Sequence, residues 1–180
     1  MNSHKKLSEI KRQQIIISPL ANHSAWLELV LEWQKKDSPG LMAAGEDELN
    51  DIRQHQEDFY IIEYGAGIFK QAVGTFKLYD HPIDACLQEK LGDKRLRGVK
   101  GLDYFYIIDK MRGQGIGGMV MQKIRDIAKN LHAEIIVFDT ITPRLNAFYT
   151  RCGAKVVSDN WFLGSTNDKY QSSTFMRMDV

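Results

Sequence analysis

The stretch that decides the fold runs from Ile107 to Gly118 and reads IIDKMRGQGIGG. An apolar segment, Leu102–Ile108, ends in it, and four glycines lie between Gly113 and Gly118. The apolar residues that follow lie at Ile116, Val120, Ile124, Ile127 and Leu131. These gaps of three and four predict a helix with one buried face. Because Ala133–Phe138 is again strand-like, the stretch predicts a right-handed, parallel strand–helix–strand crossover.

The glycine-rich loop predicts a binding site for a phosphate group. Backbone N–H groups at the start of a helix have no intrahelical partner and carry partial positive charge. Glycines let the backbone approach an anion without a Cβ in the way and permit the positive φ angles of an anion-binding nest. Lys110 and Arg112 add positive charge beside the loop.

The same glycines leave one alternative open. Gly113, Gly115 and Gly118 satisfy the G-x-G-x-x-G pattern of dinucleotide-binding domains, and Asp139 lies where a ribose-binding acid would be expected. Two observations disfavour this alternative. The charged segment Asp109–Arg112 separates the strand from the first glycine, and too few residues follow Asp139 for the rest of a doubly wound sheet.

The rest of the chain predicts the element order β, α, α, β, β, β, α, β, α, β, β, with mostly antiparallel pairing outside the crossover. The predicted strands are Ile15–Ile17, Phe59–Tyr64, Ala72–Tyr79, Leu102–Ile108, Ala133–Phe138, Ala154–Ser158 and Thr174–Asp179. The predicted helices are Ala25–Lys35, Glu46–Glu57, a segment starting at Ile116, and Pro143–Arg151, with a short helix over Asp84–Leu91 in the insertion Asp80–Gly101. The nearly continuous apolar run of Leu102–Ile108 predicts a strand buried on both sides.

Composition narrows the classes of function. The chain has 180 residues, of which 43% are hydrophobic and 26% charged, which favours one globular domain over 1–180 with a flexible or peripheral extension over 1–14. A net charge of +1 argues against nucleic acid or an acidic membrane as the main partner. Cys86 and Cys152 lack the spacing of metal ligands, so no metal site is expected. Without an apolar run long enough to span a membrane, a cytoplasmic location is expected by elimination.

Two segments together resemble a known family. Arg112-Gly113-Gln114-Gly115-Ile116-Gly117 resembles the Q/R-x-x-G-x-G/A signature of the GNAT superfamily of acetyltransferases. One strand later, Phe148–Ala154 resembles that family's F-Y-x-x-x-G-F segment. The resemblance implies an α/β (α+β) fold with a mixed, mostly antiparallel central sheet, helices on both faces, and a parallel strand–helix–strand at the cofactor loop.

The resemblance also implies a cosubstrate, acetyl-CoA, and the residues that hold it. The backbone amides that would bind its pyrophosphate belong to Arg112, Gly113, Gln114, Gly115, Ile116, Gly117 and Gly118. The pantetheine arm would pair with the main chain of Tyr106, Ile107 and Ile108, and Asn146 is a further candidate contact to that arm. The thioester would lie where Leu102–Ile108 and Ala133–Phe138 splay apart, its carbonyl polarised by a strand amide.

The implied activity is acetyl transfer from acetyl-CoA to a primary amine, by an enzyme that is a monomer or a homodimer. Tyr149 matches the family tyrosine that donates a proton to the departing thiolate, although the residue would also serve as an aromatic packing the last helix against the sheet. Asp103 is the preferred candidate for a base, and a solvent-facing strand carboxylate is the alternative. A non-catalytic CoA-binding sensor or interaction module on the same fold remains a second hypothesis.

Overall fold

The computed structural model describes residues 14–37, 46–65, 67–92, 96–140, 142–159 and 173–180. The strands in these ranges are β1 (Ile15–Pro19), β2 (Phe59–Tyr64), β3 (Gln71–Asp80), β4 (Val99–Ile107), β5 (Ile135–Thr140), β6 (Ala154–Asp159) and β7 (Thr174–Asp179). The helices are α1 (Leu27–Asp37), α2 (Glu46–Gln54), α3 (Ala85–Leu91), α4 (Ile116–Asn130) and α5 (Pro143–Arg151). None of the helices in these ranges combines the length and the apolar character that crossing a membrane requires.

The strands form one sheet of order β1-β2-β3-β4-β5-β7-β6. β4 and β5 pair in parallel, whereas β1 with β2, β2 with β3, β5 with β7 and β6 with β7 pair antiparallel. The predicted fold class, a mostly antiparallel mixed sheet with one parallel crossover, is therefore confirmed. The dinucleotide alternative requires a doubly wound parallel sheet, and the antiparallel pairing of β5 with β7 contradicts it. Asp139 lies within that pairing, opposite Phe175.

The chain divides into two compact units, each with its own core. The first comprises the described parts of Met1–Lys77 and Tyr104–Val120, and the second those of Leu78–Asp103 and Met121–Val180. The buried core of the first unit consists of Leu20, Val30, Leu31, Ile52, Phe59, Ile61 and Ala72. The core cluster of the second consists of Leu87, Val99, Ile135, Val137 and Phe175. The prediction of a single domain stays a prediction, and residues 1–13 of the expected extension lie outside the described residues.

Local signals in the sequence explain where several helices begin and end. Asp84 caps α3 by accepting a hydrogen bond from the backbone N–H of Leu87 at 2.7 Å. Gly153, with φ +97°, ends α5, and its N–H donates to the carbonyl of Thr150 at 3.0 Å. The first helix begins later than predicted, at Leu27, because Ser24–Trp26 forms a 3-10 turn before it.

β4 differs from its prediction in bounds and in burial. It begins at Val99, three residues earlier than predicted, and ends at Ile107. Its parallel pairing with β5 joins Val99–Gly101 to Ile135–Val137, so the segment from Asp103 to Phe105 lies beyond the part of β4 that pairs with β5. Asp103 is exposed, and Tyr104 and Phe105 are half-buried. The prediction of a strand buried on both sides along its length is therefore wrong for this middle segment.

Candidate functional site

The exposed glycine loop lies between two buried residues of the first unit. Met111 and Ile116 are buried, whereas every residue from Arg112 to Gly115 is exposed. Gly113 and Gly115 have φ angles of +74° and +79°, which side-chain-bearing residues rarely adopt. A Cβ added to either glycine would meet no atom of the residues that the structure describes within 4 Å. The backbone direction thus requires glycine here, and the space above the loop is open.

The loop presents the start of α4 to solvent. The first backbone hydrogen bond of α4 runs from the N–H of Met119 to the carbonyl of Gly115, at 3.4 Å, so the N–H groups before it lack an intrahelical partner. The first turn contains no acidic residue that would compete for them. Gln114 closes the base of the loop by donating from Nε2 to the carbonyl of Lys110 at 2.7 Å. This arrangement suits an anion, as the sequence predicts.

Arg112 lies against the end of β4. Its Nε donates to the carbonyl of Ile107 at 2.6 Å, and its Nη1 lies 3.0 Å from Oδ1 of Asp109. The guanidinium carbon is 5.2 Å from the ring centroid of Tyr106, a cation–π distance. Asp109 also lies 3.9 Å from Nζ of Lys36. The cation beside the loop is therefore held at the strand end and is partly balanced by one carboxylate.

The strand segment predicted to bind pantetheine packs along one side against β3 within the first unit. Tyr106 and Ile107 are buried, and the N–H of Ile108 donates to the carbonyl of Val73 at 3.0 Å. A Cβ on Gly74 would collide with the carbonyl oxygen of Tyr106, so glycine is required where β3 approaches β4. Nothing in the sequence marks Gly74 for this contact, because a glycine inside a strand pattern does not reveal which backbone it approaches.

Tyr149 lies in the second unit, on α5, and is 7% exposed. Its ring centroid is 4.6 Å from that of Phe138 on β5 and 5.0 Å from that of Phe148. The aromatic packing considered as the alternative is therefore present. Such packing fixes the position of the ring and leaves the role of the hydroxyl as a prediction.

Asn146 lies one turn before Tyr149 on the same helix. Its Nδ2 donates to Oγ1 of Thr174 at 2.9 Å, which ties α5 to the start of β7. Its Oδ1 is buried and has no hydrogen-bond partner within the described ranges. A buried acceptor left without a donor destabilises a protein by about 1–3 kcal/mol. The predicted contact of Asn146 with the cofactor stays a prediction.

Two further groups bear on the chemistry of the second unit. The carboxylate of Asp103, the predicted base, is exposed on β4. Burial raises the pKa of the Cys152 thiol, and the nearby Arg151 opposes that rise in part. Because a cysteine reacts as the thiolate, this raised pKa makes the Cys152 side chain less suited to act as a nucleophile. Over the described part of the chain, no three His, Cys, Asp or Glu side chains group as a metal site would require.

Comparison with known proteins gives one family match. The family described as Acetyltransferase (GNAT) family matches residues 25–154, which is more than half of the chain. The match includes both units' predicted site residues, from Asp103 to Tyr149. No curated protein matches the chain in sequence.

Solved structures are similar in fold at low sequence identity. Spermidine N-acetyltransferase from Vibrio cholerae, in complex with CoA and spermine, has 14% identity and a TM-score of 0.63, with 93% of this chain and 96% of that chain covered. Ard1 from Thermoplasma volcanium has 14% identity and a TM-score of 0.60, with 93% and 98% covered. IAA acetyltransferase from Bacillus cereus ATCC 14579 has 14% identity and a TM-score of 0.55, with 92% and 99% covered.

Proposed function

Because this chain belongs to the GNAT family of acetyltransferases, we propose that it transfers the acetyl group of acetyl-CoA to a primary amine. The glycine loop is the observation that carries the proposal. Its exposed backbone at the start of α4, with two left-handed glycines and Arg112 beside them, suits the pyrophosphate of CoA. The similar fold of a spermidine N-acetyltransferase in complex with CoA and spermine supports CoA as the cosubstrate.

In the proposed complex, the pyrophosphate binds the N–H groups of the loop from Arg112 to Gly118. The pantetheine arm pairs with the main chain of Tyr106–Ile108. The carbonyl of Ile107 accepts a hydrogen bond from Arg112 and has a second lone pair, so it can pair with the arm while the arginine stays in place. The guanidinium is thereby held beside the loop, and phosphates favour arginine as a bidentate partner.

The proposed reaction is a direct transfer. The neutral amine nitrogen attacks the thioester carbonyl carbon, a C–N bond forms, and the C–S bond breaks as CoA leaves as a thiolate. Tyr149 gives its proton to that thiolate, and the amine loses a proton to Asp103 or to water held by it. Ordinary pKa values near 8.5 for a thiol and 10 for tyrosine make donation through a hydrogen bond feasible.

Replacing Tyr149 by phenylalanine tests the proton donor. The ring keeps its packing against Phe138, so only the hydroxyl is lost. We expect kcat to fall about 100-fold while the Kd for acetyl-CoA stays within about threefold. Tyr60→Phe is the matched control, since that ring also stacks on a phenylalanine, Phe76, at 4.9 Å. Full turnover by Tyr149→Phe would assign the residue to packing alone.

Replacing Asp103 by asparagine tests the base. If the carboxylate takes the proton of the amine, the acidic limb of the kcat/KM–pH profile moves, and kcat/KM near neutral pH falls about tenfold or more. Glu89→Gln, at another exposed carboxylate of the second unit, is the control and should leave the profile in place. An unchanged profile for Asp103→Asn would remove Asp103 from the mechanism.

The proposed function as a whole is tested by thiol release from acetyl-CoA across a panel of amines. The panel includes a polyamine, free amino acids, a peptide with a free N-terminus, a lysine peptide and an aminoglycoside. Thiol release that depends on one of these amines supports the proposal. Tight CoA binding without transfer to any of them would favour the binding module. Binding of a nicotinamide dinucleotide in place of CoA would overturn the proposal.

A further inference from the structure

Tyr104 has an unusual backbone for a residue inside a strand. Its φ is +53°, in the left-handed region, although it lies in the middle of β4 and carries an aromatic side chain. A residue other than glycine in this region is strained and persists only where its surroundings hold it there. The strain lies two residues before Tyr106, where the segment predicted to bind pantetheine begins.

Two contacts from the first unit hold this conformation. The ring of Tyr104 packs against Phe59, with centroids 5.4 Å apart. The carbonyl oxygen of Tyr104 accepts a hydrogen bond from Nε2 of Gln34 on α1, at 3.4 Å. The neighbouring Trp33 contacts the ring of Tyr106 at 5.6 Å, so α1 touches β4 at two points.

A glutamine at position 34 lowers the stability of the fold if its side chain only fills space in the core. It is 7% exposed, and burying an amide is unfavourable unless the amide is hydrogen-bonded. Methionine or leucine would fill a similar volume without that desolvation. What glutamine adds is a directed donor, and the acceptor it reaches is the carbonyl of the strained residue.

A peptide group is planar and trans, so the carbonyl of Tyr104 and the N–H of Phe105 point in opposite directions. A donor that holds this carbonyl toward α1 therefore also sets the direction of the N–H of Phe105. We propose that Gln34 is a positioning residue for acetyl transfer, which orients the 104–105 peptide so that the N–H of Phe105 polarises the thioester carbonyl. This inference rests on the proposed function and names the strand amide and the side chain that aims it.

The test compares Gln34→Met, which keeps the size of the side chain and removes the donor, with Lys35→Met, at the next and exposed position of α1. A misaligned donor lowers turnover without weakening the phosphate contacts. We expect kcat to fall about tenfold or more in Gln34→Met, with the Kd for CoA within about threefold of the parent protein. Lys35→Met should match the parent in both.

A second measurement does not depend on turnover. In ¹⁵N-labelled protein, the amide resonance of Phe105 should differ between the acetyl-CoA and CoA complexes, and this difference should vanish in Gln34→Met. An unchanged kcat in Gln34→Met, or a loss of CoA affinity that equals the loss of kcat, would overturn the positioning role. So would a Phe105 resonance that is the same in both complexes of the parent protein. Absence of transfer by the parent protein would instead count against the proposed function, and the resonance would still report on Gln34.

Discussion

The glycines of the loop and the glycines of the sheet are required for opposite reasons. Gly113 and Gly115 have positive φ angles, and a Cβ on either would meet no atom of the described residues within 4 Å. Gly74 and Gly101 have no such φ, yet a Cβ on them would collide with the carbonyl of Tyr106 or the ring of Tyr79. Glycine is required at Gly113 and Gly115 by their own backbone angles, and the surface beside them stays open to a ligand. Glycine is required at Gly74 and Gly101 by the atoms packed against them, so no room for a ligand is left there.

The largest effect on stability is expected from Gly74→Ala. The added methyl meets the backbone of β4, which cannot rotate away as a side chain can. We expect the free energy of unfolding to fall by about 2–3 kcal/mol, measured by urea denaturation. Gly101→Ala, whose methyl meets the ring of Tyr79, should lose less, because that ring can shift. Equal losses in the two variants would show that backbone and side-chain neighbours restrain these glycines alike.

Gly115→Ala tests whether the loop requires glycine for a different reason than the sheet does. The methyl has room, so the loss of stability comes from the positive φ alone and should be about 1 kcal/mol. We expect the Kd for CoA, measured by calorimetry, to rise about tenfold, because relief of the strain turns backbone N–H groups away from the anion. Gly92→Ala is the matched control. Gly92 has φ +67°, and a Cβ there would likewise meet none of the described residues within 4 Å, but it lies at the end of α3, so that variant should lose similar stability and keep CoA affinity.

The smallest effect on stability, and one of opposite sign, is expected from Gly118→Ala. Gly118 lies in the first turn of α4, its φ is not positive, and a methyl there would meet no described residue outside its own helix within 4 Å. Alanine favours the helix over glycine, so the free energy of unfolding should rise by about 0.5 kcal/mol. Affinity for CoA should fall, since the methyl stands beside the N–H groups of the helix start. Undiminished CoA affinity would mean that the anion does not reach Gly118.

The sequence predicted best those features that depend on neighbours along the chain. The bounds of the helix Pro143–Arg151 and the positive φ angles of Gly113 and Gly115 follow from residue types that act within one or two turns of themselves. The order of the elements and the parallel crossover followed from the same local periodicities. Each of these signals is a residue type in a short window, which is what a sequence displays directly.

Features that depend on distant partners were not predictable in this way. An aromatic residue within an apolar run favours an ordinary strand, so nothing in the sequence marks Tyr104 for a left-handed conformation. The donor that meets its carbonyl, Gln34, comes from a helix far away along the chain. Gly74 is likewise explained only by the strand that packs beside it. The prediction that the segment from Asp103 to Phe105 is buried was wrong, because hydrophobicity alone does not show where the pairing of β4 with β5 ends.

The hydrogen bond from Arg112 to the carbonyl of Ile107 has a consequence for the ionic strength dependence of cofactor affinity. The bond holds the arginine beside the loop, while an arm that pairs with the same strand exchanges hydrogen bonds to water for hydrogen bonds to the protein, which yields little net free energy. Under the proposed function, the affinity then comes mainly from the phosphates and from the cation held beside the loop. Contacts of that kind weaken as salt screens them. Added salt should therefore slow the capture of CoA and hasten its release, and leave the fold of the sheet unaffected.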